Sequence, residues 1–404
     1  MLGERIRKLR KQKKMTLETL AGTELTKGML SLIENNKANP SMESLSYIAG
    51  QLDVELSDLL EEISTQELAE LLEEAEIIYN TQTEKDEDKY KKLVELIEPH
   101  VNHFSQGYQV ARLLELYSYS LAYQKNPEWQ DVSDKAAQMF DQLNITANRT
   151  AIGLFRAKRK FNDHEYTKAL DIFLTERKSI ESNHPYIDPI TRLDLDYHEA
   201  ILYFAVGDSE SATNVMENAL QFSKEKRIFY LIDDLYRLAA CQGMMTKDEN
   251  KREYYTKKLQ QYGEFADHIH SIMFCKVLDF MALISEKREY KKALEEIDHL
   301  FTKQMEAYEP WLYLGKGRVY YYLGRYEEAL QFLNKVVVPP LHHPFDLSIF
   351  FVLDSYKALS YLELGDRKKA LRFAETAVKN FEPLVETPFK AFSLKTYAKI
   401  KNEL

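Results

Sequence analysis

The feature that most constrains the fold is a pattern of small and aromatic residues that recurs about every 40 residues. Its clearest copy spans 313–336 and consists of Gly317, Tyr320, Gly324, Tyr326, Ala329 and Leu333. The key alanines of successive copies are Ala169, Ala212, Ala293, Ala329 and Ala370, with a degenerate copy near Glu253 in the widest gap. A period of this length indicates stacked supersecondary units, because a single unit cannot bury its own apolar face.

The residue types in this pattern predict helical hairpins. The copy at 313–336 resembles the tetratricopeptide signature. Most of that signature recurs in an earlier copy, at Ala200, Tyr203, Gly207, Ala212, Met216 and Ala219. It recurs again in a later copy, at Ala358, Tyr361, Gly365, Ala370, Ala374 and Ala377. Small residues allow the two helices of a hairpin to touch, and aromatic residues fill the groove to the next hairpin. Weaker copies surround Ala169 and Ala293, degenerate units are expected over 90–145, and a final helix over 389–402 would cap the stack.

Composition agrees with an all-α fold. Apolar residues make up 45% and charged residues 29% of the 404-residue chain, and 13 Gly and 11 Pro provide few turn signals. The two cysteines, Cys241 and Cys275, lack CxxC spacing, so neither a disulfide framework nor a cysteine-rich metal site is expected. The sequence has no run of 18 apolar residues and no apolar stretch after its basic start, so we expect a soluble cytoplasmic protein without a membrane partner.

Charge is distributed unevenly along the chain. Residues 1–40 carry nine Lys and Arg against four Glu, a net charge of +5. Because the whole chain carries -10, the other 364 residues sum to -15. A small basic head on an acidic body predicts that one end binds nucleic acid, since DNA binding replaces counterions around the phosphates with Lys and Arg.

The basic head contains five short amphipathic segments within about 60 residues. Helix N-caps are expected at Thr16, Thr26, Ser41 and Ser57, because a hydroxyl there accepts hydrogen bonds from the first free amides of a helix. The stretches 16–21, 25–34 and 39–45 resemble the Cro/cI-type (XRE) helix-turn-helix family, and the resemblance covers residues 4–60. It includes the core positions Leu20, Leu30, Ile33, Leu45 and Ile48.

The resemblance implies which residues of the head would contact double-stranded DNA. In this family the third helix enters the major groove, and dimers bind two half-sites, so a palindromic operator is expected. The positions that would face the bases are Lys27, Gly28, Met29, Ser31 and Leu32, and those that would approach the phosphates are Asn35, Asn36 and Lys37. Arg10 and Glu34 match the family's buried ion pair and are assigned to stability.

Two features of the head depart from the family pattern. The turn before the third helix lacks the usual glycine, and Gly22 is expected to compensate. Gly28, Met29 and Leu32 cannot make the bidentate contacts that discriminate guanine or adenine, so thymine-methyl contacts or DNA shape would supply specificity. The alternative is a domain that only dimerises or docks a protein.

These patterns also predict the domain boundaries. Residues 1–62 are expected to form the helix-turn-helix domain, 63–89 a connecting helix and loop, and 90–404 a repeat array that also mediates oligomerisation. Ser64 followed by Glu67 is a capping-box pattern, which predicts the start of the connecting helix.

A right-handed superhelical array of such hairpins has a concave face, lined by the first helix of each hairpin, that suits a peptide or a partner helix. The repeat frame places the following residues on that face: Lys158, Tyr197, Ile201, Leu238, Gln242, Leu314, Arg318 and Tyr321. Because charged side chains are rarely buried in a repeat core, Arg318 is expected to be exposed and to bind a peptide carboxylate.

The whole architecture resembles the Rap/NprR/PlcR/PrgX group of peptide-pheromone regulators of Gram-positive bacteria, with length and repeat number closest to the NprR-like members. The resemblance implies a homodimer or higher homo-oligomer whose oligomeric state or DNA affinity changes when a short peptide binds. The sequence has no phosphate-binding loop, dinucleotide motif, nucleophile elbow or HExxH motif, so no enzyme activity, cofactor or metal is expected. Two alternatives remain open: repeats that dock a protein partner, and a Rap-like protein that modulates a response regulator.

Overall fold

The computed structural model describes residues 2–60, 63–81, 88–301 and 306–403, and all regular structure in these ranges is helical, so the predicted all-α fold is confirmed. The chain divides into two compact units, 1–152 and 153–404. The boundary falls inside one helix, Thr146–Asn162.

The first five helices lie where the sequence predicts a helix-turn-helix domain. They are α1 (Leu2–Gln12), α2 (Leu17–Ala21), α3 (Lys27–Glu34), α4 (Met42–Leu52) and α5 (Leu56–Leu60). The hydroxyls of Thr16, Thr26 and Ser41 each accept a hydrogen bond from the backbone amide three residues later, so these predicted N-caps are confirmed. The prediction for Ser57 was wrong, because α5 begins one residue before it.

An apolar cluster and one ion pair hold these five helices together. The predicted core residues are all at most 4% exposed: Leu20, Leu30, Ile33, Leu45 and Ile48. Arg10 binds the Glu34 carboxylate with two parallel hydrogen bonds, Nε to Oε1 at 2.6 Å and Nη2 to Oε2 at 2.8 Å. These hydrogen bonds and the charge of Glu34 raise the pKa of Arg10 above its ordinary value. The predicted buried pair is confirmed.

A glycine makes the turn between α2 and α3 possible. Gly22 has a φ of +54°, in the region that residues with a side chain rarely adopt. A Cβ at this position would lie 2.0 Å from the hydroxyl oxygen of Tyr47 in α4. Gly22 therefore meets two requirements of this turn that no other residue type meets without displacing Tyr47.

The rest of the first unit is also helical. It consists of α6 (Thr65–Asn80), α7 (Lys89–Ile97), a 3-10 helix (Glu98–His103), α8 (Tyr108–Tyr123), α9 (Trp129–Gln142) and the start of α10 (Thr146–Asn162). The predicted capping box is confirmed, because Ser64 and Glu67 each accept a hydrogen bond from the other's backbone amide. Of the loop predicted between Thr81 and Lys89, residues 82–87 lie outside the described residues.

Glu67 also links the connecting helix to the head. Lys8 Nζ of α1 lies 2.7 Å from Glu67 Oε1. This contact with Lys8, followed by the capping bonds from Ser64, lowers the pKa of Glu67 to about 2. One carboxylate therefore both caps α6 and bonds it to α1.

The second unit is a series of paired helices. Its pairs are the remainder of α10 with α11 (Tyr166–Asn183), α12 (Pro189–Val206) with α13 (Ser209–Lys226), α14 (Ile232–Thr246) with α15 (Glu249–Phe265), α16 (Ile269–Ala282) with α17 (Tyr290–Phe301), α18 (Glu309–Tyr322) with α19 (Tyr326–Leu333), and α20 (Pro344–Glu363) with α21 (Arg367–Phe381). A π-helical turn, Leu283–Lys287, extends α16. The last helix is α22 (Pro388–Asn402). The predicted hairpin repeats and final helix are confirmed.

Small residues stand where the two helices of a pair touch. The five key alanines are all 0% exposed: Ala169, Ala212, Ala293, Ala329 and Ala370. In α18, a Cβ on Gly317 would lie 2.4 Å from the side chain of Leu333 in α19. The degenerate pair α14 and α15 makes the same close contact with a different residue, because a Cβ on Gly243 would lie 2.6 Å from the backbone nitrogen of Arg252.

We expect Gly317→Ala to destabilise the second unit by about 1–3 kcal/mol, because the added methyl group overlaps Leu333 in a packed interface. Gly50→Ala in α4 is the control, since nothing lies within 4 Å of its added Cβ and alanine favours a helix, so stability should not fall. Thermal unfolding of the full chain, with hydrogen exchange of 309–333 and 42–52, measures both effects. Unchanged protection of 309–333 in the Gly317 variant would contradict the packing argument.

Arg10→Ala should destabilise the five-helix head by about 3 kcal/mol, because Glu34 is 4% exposed and would remain buried without its partner. The neighbouring residue Lys11 is exposed, so Lys11→Ala should change stability by less than about 0.5 kcal/mol. Hydrogen exchange of α1 and α3 in the full chain measures the difference. Equal protection in the two variants would show that the ion pair does not stabilise the head.

Candidate functional site

The predicted base-facing residues of α3 form an exposed surface. Of the five, Ser31 is half-buried and the others are exposed: Lys27, Gly28, Met29 and Leu32. Met29 and Leu32 are large and apolar, yet they are 43% and 48% exposed. The intervening Leu30 and the following Ile33 are buried, so α3 has one core face and one solvent face.

The turn after α3 carries the predicted phosphate-contacting residues, all of which are exposed: Asn35, Asn36 and Lys37. The side-chain amide of Asn35 donates to the Ser31 carbonyl at 2.7 Å. Asn36 has a φ of +56°, and its side-chain oxygen accepts from the backbone amide of Gly3 at 2.9 Å. The two asparagines therefore shape the turn, while Lys37 and Lys27 place a cation at each end of α3.

Three of the predicted ligand-contacting residues lie together around a cleft of 200 Å³ in the second unit. They are Tyr197 and Ile201 of α12 and Leu238 of α14. This inner cleft is also lined by residues that the sequence analysis did not identify: Phe161, Asp234, Arg237, Cys241, Phe274, His343, Phe345 and Asp346. Apolar side chains with a few convergent polar groups are the usual lining of a binding pocket.

One wall of the inner cleft comes from a distant part of the chain. The crossing segment, residues 334–346, runs from the end of α19 to the first turn of α20. Tyr166 Oη of α11 donates to the carbonyl of His342 at 2.8 Å, and His343 Nε2 lies 3.3 Å from the carbonyl of Ile201. These contacts join residues 176 and 142 positions apart.

The ring of His343 fixes the first turn of α20 against α12. Its Nδ1 accepts a hydrogen bond from the amide of Phe345 at 3.1 Å, so Nε2 carries the proton and donates to Ile201. Burial lowers the pKa of His343 to about 4. The ring is therefore neutral at pH 7, as this pair of hydrogen bonds requires.

The remaining polar groups of the inner cleft are two carboxyls and a guanidinium. Arg237 Nη2 bonds to Asp234 Oδ1 at 2.8 Å and lies 3.8 Å from Asp233 Oδ2. Burial raises the pKa of Asp346 to about 6, although the charge of Arg237 opposes this shift. Burial also raises the pKa of Asp234, again against the effect of Arg237.

Three predicted contact residues are not on an exposed surface, and for them the expected exposure was wrong. Leu314 is 2% exposed within the core. Gln242 is 7% exposed and bonds to Thr213 Oγ1 at 3.0 Å. Arg318 is 3% exposed, and its Nη2 donates to Ser285 Oγ at 2.7 Å. The guanidinium carbon of Arg318 lies 5.4 Å from the centroid of the Tyr356 ring. This cation–π contact stabilises the charge inside the protein, where the sequence had predicted an exposed arginine.

The last two predicted residues lie outside the inner cleft. Lys158 is exposed on α10. Tyr321 is half-buried, and its ring packs against the rings of Tyr322, Tyr326 and Tyr356 at centroid distances of 5.3 to 5.8 Å. Burial raises the pKa of Tyr321 to about 12.

Some of the missed residues could have been found from the sequence. Asp234 precedes Leu238 by four residues on α14, which places it on the predicted face of that helix, and Arg237 follows Asp234 by three residues and so neighbours it. Asp346 and His343 carry no such signal, because they precede the repeat pattern of α20 and reach the cleft only through long-range contacts.

The described residues contain neither a metal-binding group nor a membrane-spanning helix. No group of three or more His, Cys, Asp or Glu side chains there is arranged to hold a metal ion. None of the helices described is long and apolar enough to cross a membrane.

Comparison with known proteins identifies the first part of the chain. The sequence profile of a family described as "Helix-turn-helix domain" matches residues 3–64. The immunity repressor protein of Bacillus phage phi105 is 34% identical over 86 residues, which is 21% of this chain. The match spans 56% of the phage protein, so the chain covers little more than half the length of this relative.

Two solved structures show a limited likeness to the chain. PlcR of Bacillus thuringiensis, in complex with the peptide PapR7 and DNA, is 16% identical with a TM-score of 0.38, over 68% of this chain and 98% of that chain. ComR of Streptococcus vestibularis, in complex with its signaling peptide XIP, is 21% identical with a TM-score of 0.33, over 72% of this chain and 97% of that chain. TM-scores below 0.5 assign no ligand to this chain, and its expected closeness to NprR-like members stays a prediction. By the profile match and the five-helix arrangement together, residues 3–64 are a helix-turn-helix domain.

Proposed function

We propose that the chain is a transcription regulator. Its head, α1 to α5, binds a palindromic site on double-stranded DNA as part of a homodimer or higher homo-oligomer. Its second unit binds a short signalling peptide at the inner cleft, and the peptide controls oligomeric state or DNA affinity. The observation that carries the proposal is the exposed face of α3 within a helix-turn-helix domain.

The face of α3 suits the floor of a major groove. Met29 and Leu32 present apolar surface of the kind that contacts thymine methyl groups, and the absent side chain of Gly28 allows close approach to the bases. Lys27 and Lys37 flank this surface with positive charge suited to phosphates. Affinity should therefore come from the flanking lysines, and sequence preference from methyl contacts and DNA shape.

Lys27→Ala should weaken DNA binding and reduce the slope of log affinity against log salt concentration by about one, because one phosphate contact is lost. Selection of random duplexes by the full chain provides the DNA, and the selected sites should contain inverted repeats whose centres lie about 34 Å, or a multiple of it, apart. Lys395→Ala, an exposed lysine of α22, is the matched control and should leave both quantities unchanged.

Two results would count against DNA binding by α3. One is a selection that enriches no inverted repeat. The other is an equal salt slope for the Lys27 and Lys395 variants, because the charge on α3 would then make no phosphate contact.

The inner cleft supports a ligand-binding role for the second unit. It combines an apolar wall, including Tyr197, Ile201 and Leu238, with a small number of polar groups. Its volume of 200 Å³ is smaller than the several hundred Å³ usual for a whole drug-sized ligand. It therefore suits one side chain or one chain end of a peptide, with the rest of the peptide on the surrounding surface.

Ile201→Trp should abolish peptide binding, because the larger ring fills the cleft. A synthetic mixture of random hexapeptides is first passed over the immobilised full chain, and the peptides that are retained serve as the probe. The readout is the rise in the melting temperature of the chain that these peptides cause. Ile190→Trp on the same helix, at a position that is 51% exposed, is the matched control and should keep the full rise. An equal rise in both variants would place the peptide elsewhere, and no retention by the native chain would overturn the peptide proposal.

One observation favours a second candidate, a regulator whose repeats dock another protein. Tyr186, Phe229 and Phe265 are 71%, 66% and 81% exposed. Each lies three or four residues before the first helix of a pair, namely α12, α14 and α16. Exposed aromatic surface repeated along one edge is typical of a protein-binding surface. This candidate predicts that substitutions in the cleft leave regulation intact, whereas serine at these three positions removes it.

A further inference from the structure

We infer that the inner cleft binds a positively charged group of its ligand, a primary ammonium or a guanidinium, and that the carboxylate of Asp346 is its partner. The inference rests on the proposed peptide-binding function and names the chemistry of the peptide group that enters the cleft. It reverses the expectation from the sequence, in which a cation of the protein would bind a carboxylate of the peptide.

Asp346 is a carboxylate that lines the cleft without a partner. It stands in the first turn of α20 beside the apolar ring of Phe345, and Tyr197 and Cys241 line the same cleft from α12 and α14. Within the part of the chain that the structure describes, no side chain or amide bonds to its carboxylate. A half-buried carboxylate without a partner is only partly solvated, so the site gains when a cation enters.

The other charges of the cleft do not satisfy Asp346. Arg237, the guanidinium of the cleft, already bonds to Asp234 and lies near Asp233. The cleft is thus lined by two carboxyls, Asp234 and Asp346, and by one guanidinium that already bonds to Asp234. A cationic ligand group would be attracted to this site, and a carboxylate would be repelled.

The size and lining of the cleft fit the end of a side chain. A cavity of 200 Å³ accommodates the aliphatic stem of a lysine or arginine against Phe161, Ile201 and Leu238, with the charged end at Asp346. An N-terminal ammonium with its first side chain is the other source of the same chemistry. Arg318, the cation expected to bind a peptide carboxylate, is 3% exposed, bonds to Ser285 and does not line this cleft.

The test uses four synthetic hexapeptide mixtures of otherwise equal composition and the immobilised full chain. One mixture has lysine and a free N-terminus, the second lysine and an acetylated N-terminus, the third norleucine and a free N-terminus, and the fourth norleucine and an acetylated N-terminus. We expect the mixture with lysine and a free N-terminus to be retained at least about tenfold better than the fourth mixture, as expected for a charge pair within a cleft. The second and third mixtures distinguish a side-chain cation from a terminal one.

Asp346→Asn keeps the shape of the side chain and removes its charge, so it should remove this preference for cations. Asp354→Asn, two turns further along α20 and outside the cleft, is the matched control and should keep it. Circular dichroism checks that both variants fold, and Asp346→Glu should restore the preference if the asparagine variant loses it. A merely structural Asp346 would alter retention of all four mixtures equally.

The preference should also depend on pH. Because the pKa of Asp346 is raised to about 6, its carboxylate is charged above that value, and the preference for cations should decline as pH falls through about 6. The other groups that face it do not produce this step: His343 has a pKa of about 4, burial raises the pKa of both Tyr197 and Cys241 above their already high ordinary values, and Arg237 stays charged. Burial also raises the pKa of Asp234. Because Asp234 is present in the native chain and in the Asp346 variants, a pH step that comes from Asp234 would appear in all of them.

The outcomes separate this inference from the proposed function. Retention of all four mixtures to the same extent would overturn the cation inference and leave peptide binding intact. Better retention of the norleucine mixture with an acetylated N-terminus would also overturn it. No retention of any mixture by the native chain would overturn both.

Discussion

The close contact between paired helices at small residues is the interaction on which the second unit depends. Fully buried alanines recur at Ala169, Ala212, Ala293, Ala329 and Ala370, and Gly243 makes an equivalent contact in the pair that lacks a key alanine. Because each pair closes at the same point, its apolar face is presented to the next pair in the same orientation. The first helices α12 and α14 then lie side by side, which brings Tyr197, Ile201 and Leu238 to one cleft.

The two units contain charged groups with contrasting surroundings. In the head, Arg10 and Glu34 satisfy each other through parallel hydrogen bonds, so the pair fixes α1 against α3 and has no capacity left for a ligand. In the inner cleft, Asp346 has apolar neighbours and an open cavity in front of it. The role of such a charged group therefore follows from its partners. A charge that is paired within the protein stabilises the fold, and a charge without a partner at a cavity is a candidate for ligand binding.

Most of the fold could be predicted from the sequence, because the signals are local. N-caps such as Thr26, the capping box at Ser64 and the alternation of small and aromatic residues all act within one or two turns of a helix. The outward-facing residues of α3 followed from the resemblance of the head to the helix-turn-helix family. The candidate site was predicted only in part, since the repeat frame gives the direction of a side chain but not what covers it. Arg318 was expected in solvent because its cover, Ser285 and Tyr356, comes from other helices. Asp346 was missed because its place in the cleft depends on contacts across 142 and 176 residues.

The crossing segment gives the second unit a property that a simple stack of repeats lacks. In an open stack each repeat touches only its neighbours, so the ends can fray while the middle stays folded. Here His342 and His343 bond to α11 and α12, and the chain between those contacts forms a closed loop of more than 140 residues. Closing a flexible loop of that length costs about 4 kcal/mol in chain entropy, so the contacts form only once the intervening pairs have brought the two ends together. The crossing segment therefore couples the first and last pairs into one cooperative folding unit, in which loss of either end exposes the inner cleft.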